Sequence, residues 1–473
     1  MQTYQDYLAV EDNDKARIDF VSSVINSYRL SDFYETAEVA EEYAAHRNKT
    51  IKDYQKFLFD VTGAVVPDNY GANYKLASNF FDRFITQEVQ FLLGNGVTWL
   101  QDSTAQKLGD DFDKVLQTAA KHSLVGGVCY GFYNYDHVEV FKAVEFAPLY
   151  DETNGALRAG VRFWRIDSTK PLRATLYDEE GYIDFIWKDG VGELMTDENG
   201  TVIGKKPYVE VTVGSEADRR DGTEIYFGEN YPAFPIVPLW GNPHHQSEIV
   251  GIREQIDCYD LIKSGYANTI DEASFVYWAI QNAGGMDDQD LTKFVDHIRT
   301  VHAAIVEDDL ARAEPHTIEA PHEGRDSLLD RLRKDLYDDY MALDTKDLAS
   351  GAVTATQIEA AYEPMNSKAD QFEFCVTDFI DGLLEVLGIE DKPTYTRSYI
   401  VNKREEMESV LQASQYLSQD YVTRKILTLL GDGDMADAII EEMNLEDYNR
   451  MNEQPQEQFE EEPEEQTEEV VEE

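Results

Sequence analysis

Several stretches of this sequence hold residue types that could do chemistry, and each lacks a part that the chemistry requires. Gly200-Thr201-Val202-Ile203-Gly204-Lys205-Lys206 comes nearest to a phosphate loop, in which backbone N–H groups and a lysine cradle phosphate oxygens. It is one residue short between its glycines, and Lys206 stands where a serine or threonine would hold magnesium. A turn between two strands accounts for the same residues. His244-His245 and the pair His297 and His302 carry imidazoles that could bind zinc. Neither pair has the i, i+4 spacing of a helical site with a third ligand in sight. Asp432, Asp434 and Asp437 resemble the start of a calcium loop without its remainder. Cys129 sits among Gly126, Gly127 and Gly131 with no basic neighbour to stabilise a thiolate, so that stretch reads as a helix-to-strand corner. Carboxylates are too abundant for spacing to single out an acid–base pair. No catalytic residue, metal ligand or cofactor is expected.

The elements that would position such groups are more legible. Apolar residues at three- and four-residue steps predict a helix from Ser247 to Ile280, with a seam of Ile249, Ile252, Ile256, Tyr259, Tyr266 and Ile270. Ser247 would cap it and Gly284-Gly285 would end it. A second helix is expected near Ser327, whose spacing to Asp330 resembles a capping box, with a seam of Leu329, Leu332, Leu336, Tyr340 and Leu343. A third begins at Thr354 or Thr356 and carries Ile358, Tyr362, Met365, Ala369, Phe372, Val376, Phe379 and Leu383. Pro364 falls inside this seam without shifting its phase, which predicts a kinked but continuous helix. Between the first two helices lies an extended insert, with Val301–Val306 as one strand and Pro315–Pro321 as a second extended piece. Leu348-Ala349-Ser350-Gly351-Ala352-Val353, ahead of the third helix, is small and glycine-bearing.

Upstream, helices are expected over Asn73–Leu93 and Leu108–Leu124. From Val128 the period changes to two. Val138, Val140, Val144 and Phe146 alternate with Glu139, Phe141, Ala143 and Glu145, and Asp189-Gly190, Asn199-Gly200 and Asp221-Gly222 mark tight turns. An antiparallel meander to Trp240 follows, closed by Pro232, Pro235, Pro238 and Pro243. Short helices are expected over 402–448, and a disordered acidic tail from Glu453 onward. The fold class is therefore α+β.

Composition removes several function classes. The 93 acidic against 41 basic residues give a net charge of −52, which excludes an ordinary tight nucleic-acid binder and an anionic-membrane binder. Cys129, Cys258 and Cys375 are scattered and odd in number, so they make no disulfide framework and suit a reducing compartment. Neither a secretion signal nor a membrane-spanning run is expected.

In this order the parts resemble the portal proteins of tailed, siphovirus-type bacteriophages. The likeness is carried by Asn79–Thr98, Phe146–Asp178, Pro235–Asn268 and Gly351–Phe379. It implies a portal fold with a helical stem and crown, an antiparallel β meander in the wing and a small extended clip. Its divisions would be a wing over 1–246, stem helices over 247–283 and 325–343, a clip over 284–324 and a tunnel loop over 344–354. A long kinked helix over 355–392, a crown over 393–450 and the acidic tail over 451–473 would follow. Implied DNA-channel residues are Lys346, Asp347, Ser350, Gly351 and Val353, and implied subunit-packing residues are Ile252, Ile256, Tyr259, Leu332 and Leu336.

The resemblance further implies a homo-oligomeric ring of about twelve subunits at the capsid vertex, closed by heterologous contacts. Its partners would be the terminase large subunit, a head-completion or adaptor protein, the major capsid and scaffolding proteins, and double-stranded DNA passing without sequence preference. It would be assembled in the bacterial host cytoplasm and reside in the virion. Two other readings stand beside it: a different phage head or neck protein, and an acidic cytoplasmic hydrolase using a carboxylate pair.

Overall fold

The computed structural model describes residues 2–11, 13–59, 64–68, 71–188, 190–215, 218–219, 223–273, 277–281, 312–316, 322–346, 355–398, 403–431 and 433–443. They fall into two units, residues 1–352 with 359–398, and residues 353–358 with 399–473. The expected strand Val301–Val306, the loop 347–354 and the tail from Glu453 lie outside the described residues.

In the larger unit, α1 (Tyr4–Leu8) opens on a reciprocal cap between Thr3 and Asp6. α2 (Asp14–Arg29) and α3 (Asp32–Ala44) are capped by Asn13 and Ser31, and a short α4 (Lys49–Asp53) follows. β1 (Phe57–Phe59) pairs with β2 (Val65–Pro67). α5 (Phe80–Leu93) starts seven residues later than its periodicity suggests, for a reason given below. β3 (Val97–Thr98) and α6 (Asp102–Leu108) lead to α7 (Phe112–Gly126), whose start is delayed past Gly109 at φ 103°.

β4 (Val128–Asn134) is the middle strand of a three-stranded antiparallel sheet, between β5 (His137–Lys142) and β15 (Ile236–Trp240). Both faces of this sheet are covered. Cys129, Tyr133 and Val138 join one core, and Val128, Tyr130, Phe132 and Phe141 join another. Within β5 the alternation therefore separates two cores rather than core from solvent, and the turn at Ala143–Glu145 brings Val144 and Phe146 to the second of them. Phe141 and Ala143, which alternate with the valines in sequence, are accordingly buried as well.

A second sheet runs β6 (Phe146–Tyr150), β7 (Leu157–Trp164), β8 (Leu172–Asp178), β9 (Gly181–Lys188) and β10 (Val191–Leu194) as an antiparallel meander in chain order. α2 covers one face, with Phe20, Val24, Ile25 and Tyr28 against Val161, Phe163, Leu176 and Phe185. Two ribbons follow. β11 (Val202–Ile203) and β13 (Thr223–Glu224) pair in parallel, a departure from the expected all-antiparallel order. β12 (Val209–Val213) pairs with β14 (Tyr226–Glu229) across a bulge at Glu210, and most of this ribbon is exposed.

α8 spans Arg253–Ala273, shorter at both ends than its seam suggests. Ser247 is spent in a turn instead of a cap, its hydroxyl donating to the Val125 carbonyl at 2.5 Å, and Gly251 at φ 98° redirects the chain. After α8, the aromatic and branched run at Tyr277–Gln281 forms β16, paired with β17 (Arg312–His316). α9 (His322–Tyr340) begins five residues before Ser327, so that serine lies within the helix. It runs antiparallel to α8, with Gln255 meeting Asp339 at one end and Arg325 meeting Thr269 at the other.

α10 (Ala355–Leu387) is one continuous helix through Pro364. Of the predicted seam, Tyr362, Met365, Ala369, Phe372, Val376, Phe379 and Leu383 are buried and Ile358 is half-buried. It ends at Gly388, φ 63°, where Gly388 N donates to Glu385 O and Ile389 N to Leu384 O, the paired bonds of a Schellman motif. β18 (Thr394–Tyr395) pairs with β3. In the smaller unit, α11 (Lys403–Ala413) precedes α12 (Gln419–Leu430), which is capped by Ser418 and stopped by Gly431 at φ 99°.

Candidate channel and assembly surfaces

α8 is the element around which the implied stem is built, and its sides do different things. One side is apolar. Ile252 and Ile256 are buried in the core that also holds Phe80, Phe84 and Leu336, with Tyr259 half-buried at its rim. The Tyr259 ring meets Phe80 edge-on at 5.0 Å, and Phe84 stacks on Tyr340 at 4.8 Å. Ile252, Ile256 and Leu336 thus spend their apolar surface inside the subunit. Leu332 is half-buried. Among the described residues, the large apolar side chains that these helices leave exposed are Ile270 on α8 and Leu328 on α9.

A second side of α8 is a polar row at four-residue steps: Asp260, Ser264 and Asn268, all buried. These side chains hold the extended segment before α5. Ser78 N donates to Asp260 Oδ1 at 2.9 Å, Leu76 N to Ser264 Oγ at 3.0 Å, and Tyr74 N to Asn268 Oδ1 at 2.7 Å. Four residues on a helix rise about 6 Å and two on a strand about 6.6 Å, so the two spacings match. Asn48 closes the end of the row, its amide donating to Asp260 Oδ2 at 2.5 Å and to Ser78 O at 3.1 Å. This clamp is why Asn73–Asn79 is extended although its sequence fits a helix. Burial raises the Asp260 carboxyl above its usual range, against the lowering effect of the bonds from Asn48 and Ser78.

The base of the helical hairpin meets α5 and α10 at a buried charge cluster. Lys368 Nζ lies 2.6 Å from Glu248 Oε2 and 3.4 Å from Glu88 Oε2. The Tyr340 hydroxyl donates to Glu88 Oε2 at 2.7 Å, and Lys368 Nζ lies 3.3 Å from the Tyr340 ring centre. Asn242 donates to Glu248 Oε1 at 2.7 Å. Two carboxylates therefore share one ammonium beside a cavity of about 220 Å³. Glu88 Oε1 is buried without a hydrogen-bond partner among the described residues. Burial pushes the Glu88 carboxyl up to about 7, with Lys368 acting in the opposite direction.

The chain leaves this cluster toward the implied tunnel loop under local restraint. Gln87 donates to Leu343 O at 3.0 Å, and Asp344 accepts from Arg333 at 2.7 Å and from Lys346 N at 3.1 Å. The Lys346 side chain is exposed and makes no ion pair among the described residues. Asp347, Ser350, Gly351 and Val353 lie outside the described residues.

Residues 26–466 match the family described as "Phage portal protein, SPP1 Gp6-like". The chain belongs to that family. The portal protein of Bacillus phage SPP1 is 22% identical over 393 residues, covering 76% of this chain and 74% of that protein. The portal protein of Clostridium phage phiCD119 is 24% identical over 187 residues, covering 38% of this chain and 42% of that protein. This chain thus matches less than half the length of the phiCD119 relative. Among solved structures, the neck of an empty gene transfer agent particle, computed with C6 symmetry, aligns at a TM-score of 0.43 with 10% identity. That alignment covers 75% of this portal-family chain and 90% of the other. The neck of a native particle, computed with C12 symmetry, aligns at 0.41 over 73% and 89%.

Among the described residues, several that suggested chemistry have structural roles in this portal-family chain. Gly200 takes φ 82° in a turn, Lys205 pairs with Asp178 at 2.8 Å, and Lys206 lies 3.7 Å from Asp184. Cys129 is buried and its thiol is pushed well above the ordinary range. His245 stacks on Trp240 at 3.8 Å, and Asp437 pairs with Arg424. His297 and His302 lie outside the described residues, as does Asp432. No cluster of three or more metal-ligating side chains occurs among the described residues.

Proposed function

We propose that this chain is the subunit of a ring that lines a DNA channel at the capsid vertex, serving genome packaging, retention and ejection. Family membership over residues 26–466 is the observation that carries this reading. Residues 1–246 would form the wing, α8 and α9 the stem, the β16–β17 segment part of the clip, 344–354 the tunnel loop, and 393–450 the crown. The ring would hold about twelve subunits in heterologous contact. Terminase would supply ATP hydrolysis, and the head-completion, capsid and scaffolding proteins would dock on the outer surfaces. The subunit itself is structural, with no catalysis.

The geometry supports a particular division of labour within this reading. Ile256 and Leu336 are buried within the subunit, so sister copies would meet exposed side chains such as Ile270, Leu328 and Phe374, the last 72% exposed on α10, beside the half-buried Tyr259 and Leu332. The charge of −52 suits a conduit, because several cationic contacts to phosphate would add affinity and slow passage. Lys346 is the sparse phosphate contact in this reading, with Asp347, Ser350, Gly351 and Val353 beside it on the loop.

Electron microscopy of the purified full chain tests the proposal. Rings with a central opening are expected, released from duplex DNA at low salt. A population of lone 54.0 kDa molecules at every concentration tried, or rings that retain duplex DNA tightly, would overturn it.

A further inference from the structure

With 93 acidic residues against 41 basic ones, any cleft of this chain should gather carboxylates. One does the reverse. It has a volume of about 690 Å³ and lies where α2, the β7–β8 loop and the β9–β10 turn meet. Its described charged lining is Arg165, Lys170 and Lys188, with no carboxylate among the described lining residues. Trp187 forms part of the wall, and Ser22 and Asn26 on α2 supply polar groups.

The fold explains why these cations are available. Asp167, the acidic residue of the β7–β8 loop, is turned back on its own backbone. Its carboxylate accepts from Thr169 N at 2.7 Å, and its carbonyl accepts from Lys170 N at 3.0 Å. Arg165 and Lys170 make no ion pair among the described residues, and Lys188 has only Glu193 at 3.8 Å, both largely exposed. Ile166, in the same loop, is 76% exposed. The site thus combines three cations with the Trp187 side chain in its wall, the pairing of charge with an apolar anchor that protein interfaces use, and the exposed Ile166 follows Arg165 in the same loop.

We propose that this cleft docks an acidic segment of another polypeptide, whose carboxylates meet Arg165, Lys170 and Lys188 while an apolar side chain lies against Trp187. A duplex fits less well. It carries one charge per about 1.7 Å of axis, and beyond three cations it would run along the surface of a strongly acidic protein. It also offers no aliphatic side chain for the Trp187 wall. A peptide that alternates carboxylates with apolar residues satisfies both halves of the site, and the charged half sets its association rate and salt dependence.

The test uses the full chain and a fluorescein-labelled peptide of alternating glutamate and leucine, followed by anisotropy at low and high salt. Binding is expected to weaken with salt and to fall about tenfold or more in Arg165→Gln/Lys170→Gln. Arg165→Lys/Lys170→Arg should keep most of it. Both positions are exposed loop residues, and an unchanged melting temperature will confirm that the fold is intact. Equal binding by the wild type and the Gln variant would overturn the proposal. So would tighter, equally Arg165-dependent binding of a single-stranded oligodeoxynucleotide, which would make the cleft a phosphate site. Loss of self-assembly in the Gln variant, with no peptide binding by the wild type, would make a second copy the occupant and overturn it as well.

Discussion

Two buried carboxylates in the larger unit, Asp260 and Glu88, show how differently one chemical group can be used. Asp260 on α8 has both oxygens satisfied by neutral donors, Ser78 N and the Asn48 amide. Glu88 on α5 shares one cation with Glu248 and keeps Oε1 without a partner among the described residues. Burial raises the carboxyl at both sites. The first is a clamp that fixes a chain path. The second is a junction whose charge does not balance, placed where α5, the chain entering α8, the end of α9 and α10 converge. Within a portal reading, the helix leaving the channel loop is therefore held by the less satisfied of the two sites.

The largest expected effect comes from removing the shared cation. Lys368→Met leaves Glu88 and Glu248 buried without their counter-charge, and breaking a buried pair in this way costs about 3–5 kcal/mol. Chemical denaturation near pH 8 should show that loss. Lowering the pH should recover part of it, because Glu88 can then take a proton. If Lys368→Met melts like the wild type across that range, the junction does not hold α10.

Asp260→Ala comes next. It strands Ser78 N and the Asn48 amide, each unmet buried donor costing about 1–3 kcal/mol. Hydrogen exchange should locate the loss in segment 73–79 and α8. Protection lost equally over the whole chain would argue against a local clamp.

Glu88→Gln sharpens the contrast through its sign. The folded carboxyl, raised to about 7, binds its proton more readily than the unfolded one, whose ordinary value is 4.5. Its contribution is present below about 4.5 and lost as pH rises through about 7. The amide keeps an acceptor for Tyr340 and Lys368 but carries no charge. Relative to wild type, the variant should therefore gain stability between pH 5 and pH 8, by about 1–3 kcal/mol. A constant difference over that range would place the shift elsewhere.

What the sequence showed and hid follows the same division. The α10 seam, the meander of the larger sheet and the turn at Gly190 were legible because periodicity and turn chemistry are local. The path of Asn73–Asn79 was not, because its hydrogen bonds come from α8, almost two hundred residues away. Asp260, Ser264 and Asn268 stand at four-residue steps, but in sequence such a row is indistinguishable from a solvated face until something is found lying on it. The charge junction was equally hidden, since Glu88, Glu248, Tyr340 and Lys368 have no sequence spacing in common. The apolar seam of α8 was legible, but periodicity cannot say whether Ile256 meets its own chain or a copy. The structure spends it inside the subunit.

Ser264→Ala is the smallest and most specific probe of the clamp. It removes one acceptor from the middle of the row and leaves Asp260 and Asn268 in place. Only Leu76 N loses its partner, so the expected loss is about 1 kcal/mol. Because alanine has the higher helix propensity, α8 itself recovers part of that, and global stability will understate the change. Exchange at the Leu76 amide is the better reading. It should quicken in Ser264→Ala while the Ser78 amide stays protected by Asp260. If both amides quicken together, the three contacts act as one cooperative unit, and the clamp opens all at once rather than one bond at a time.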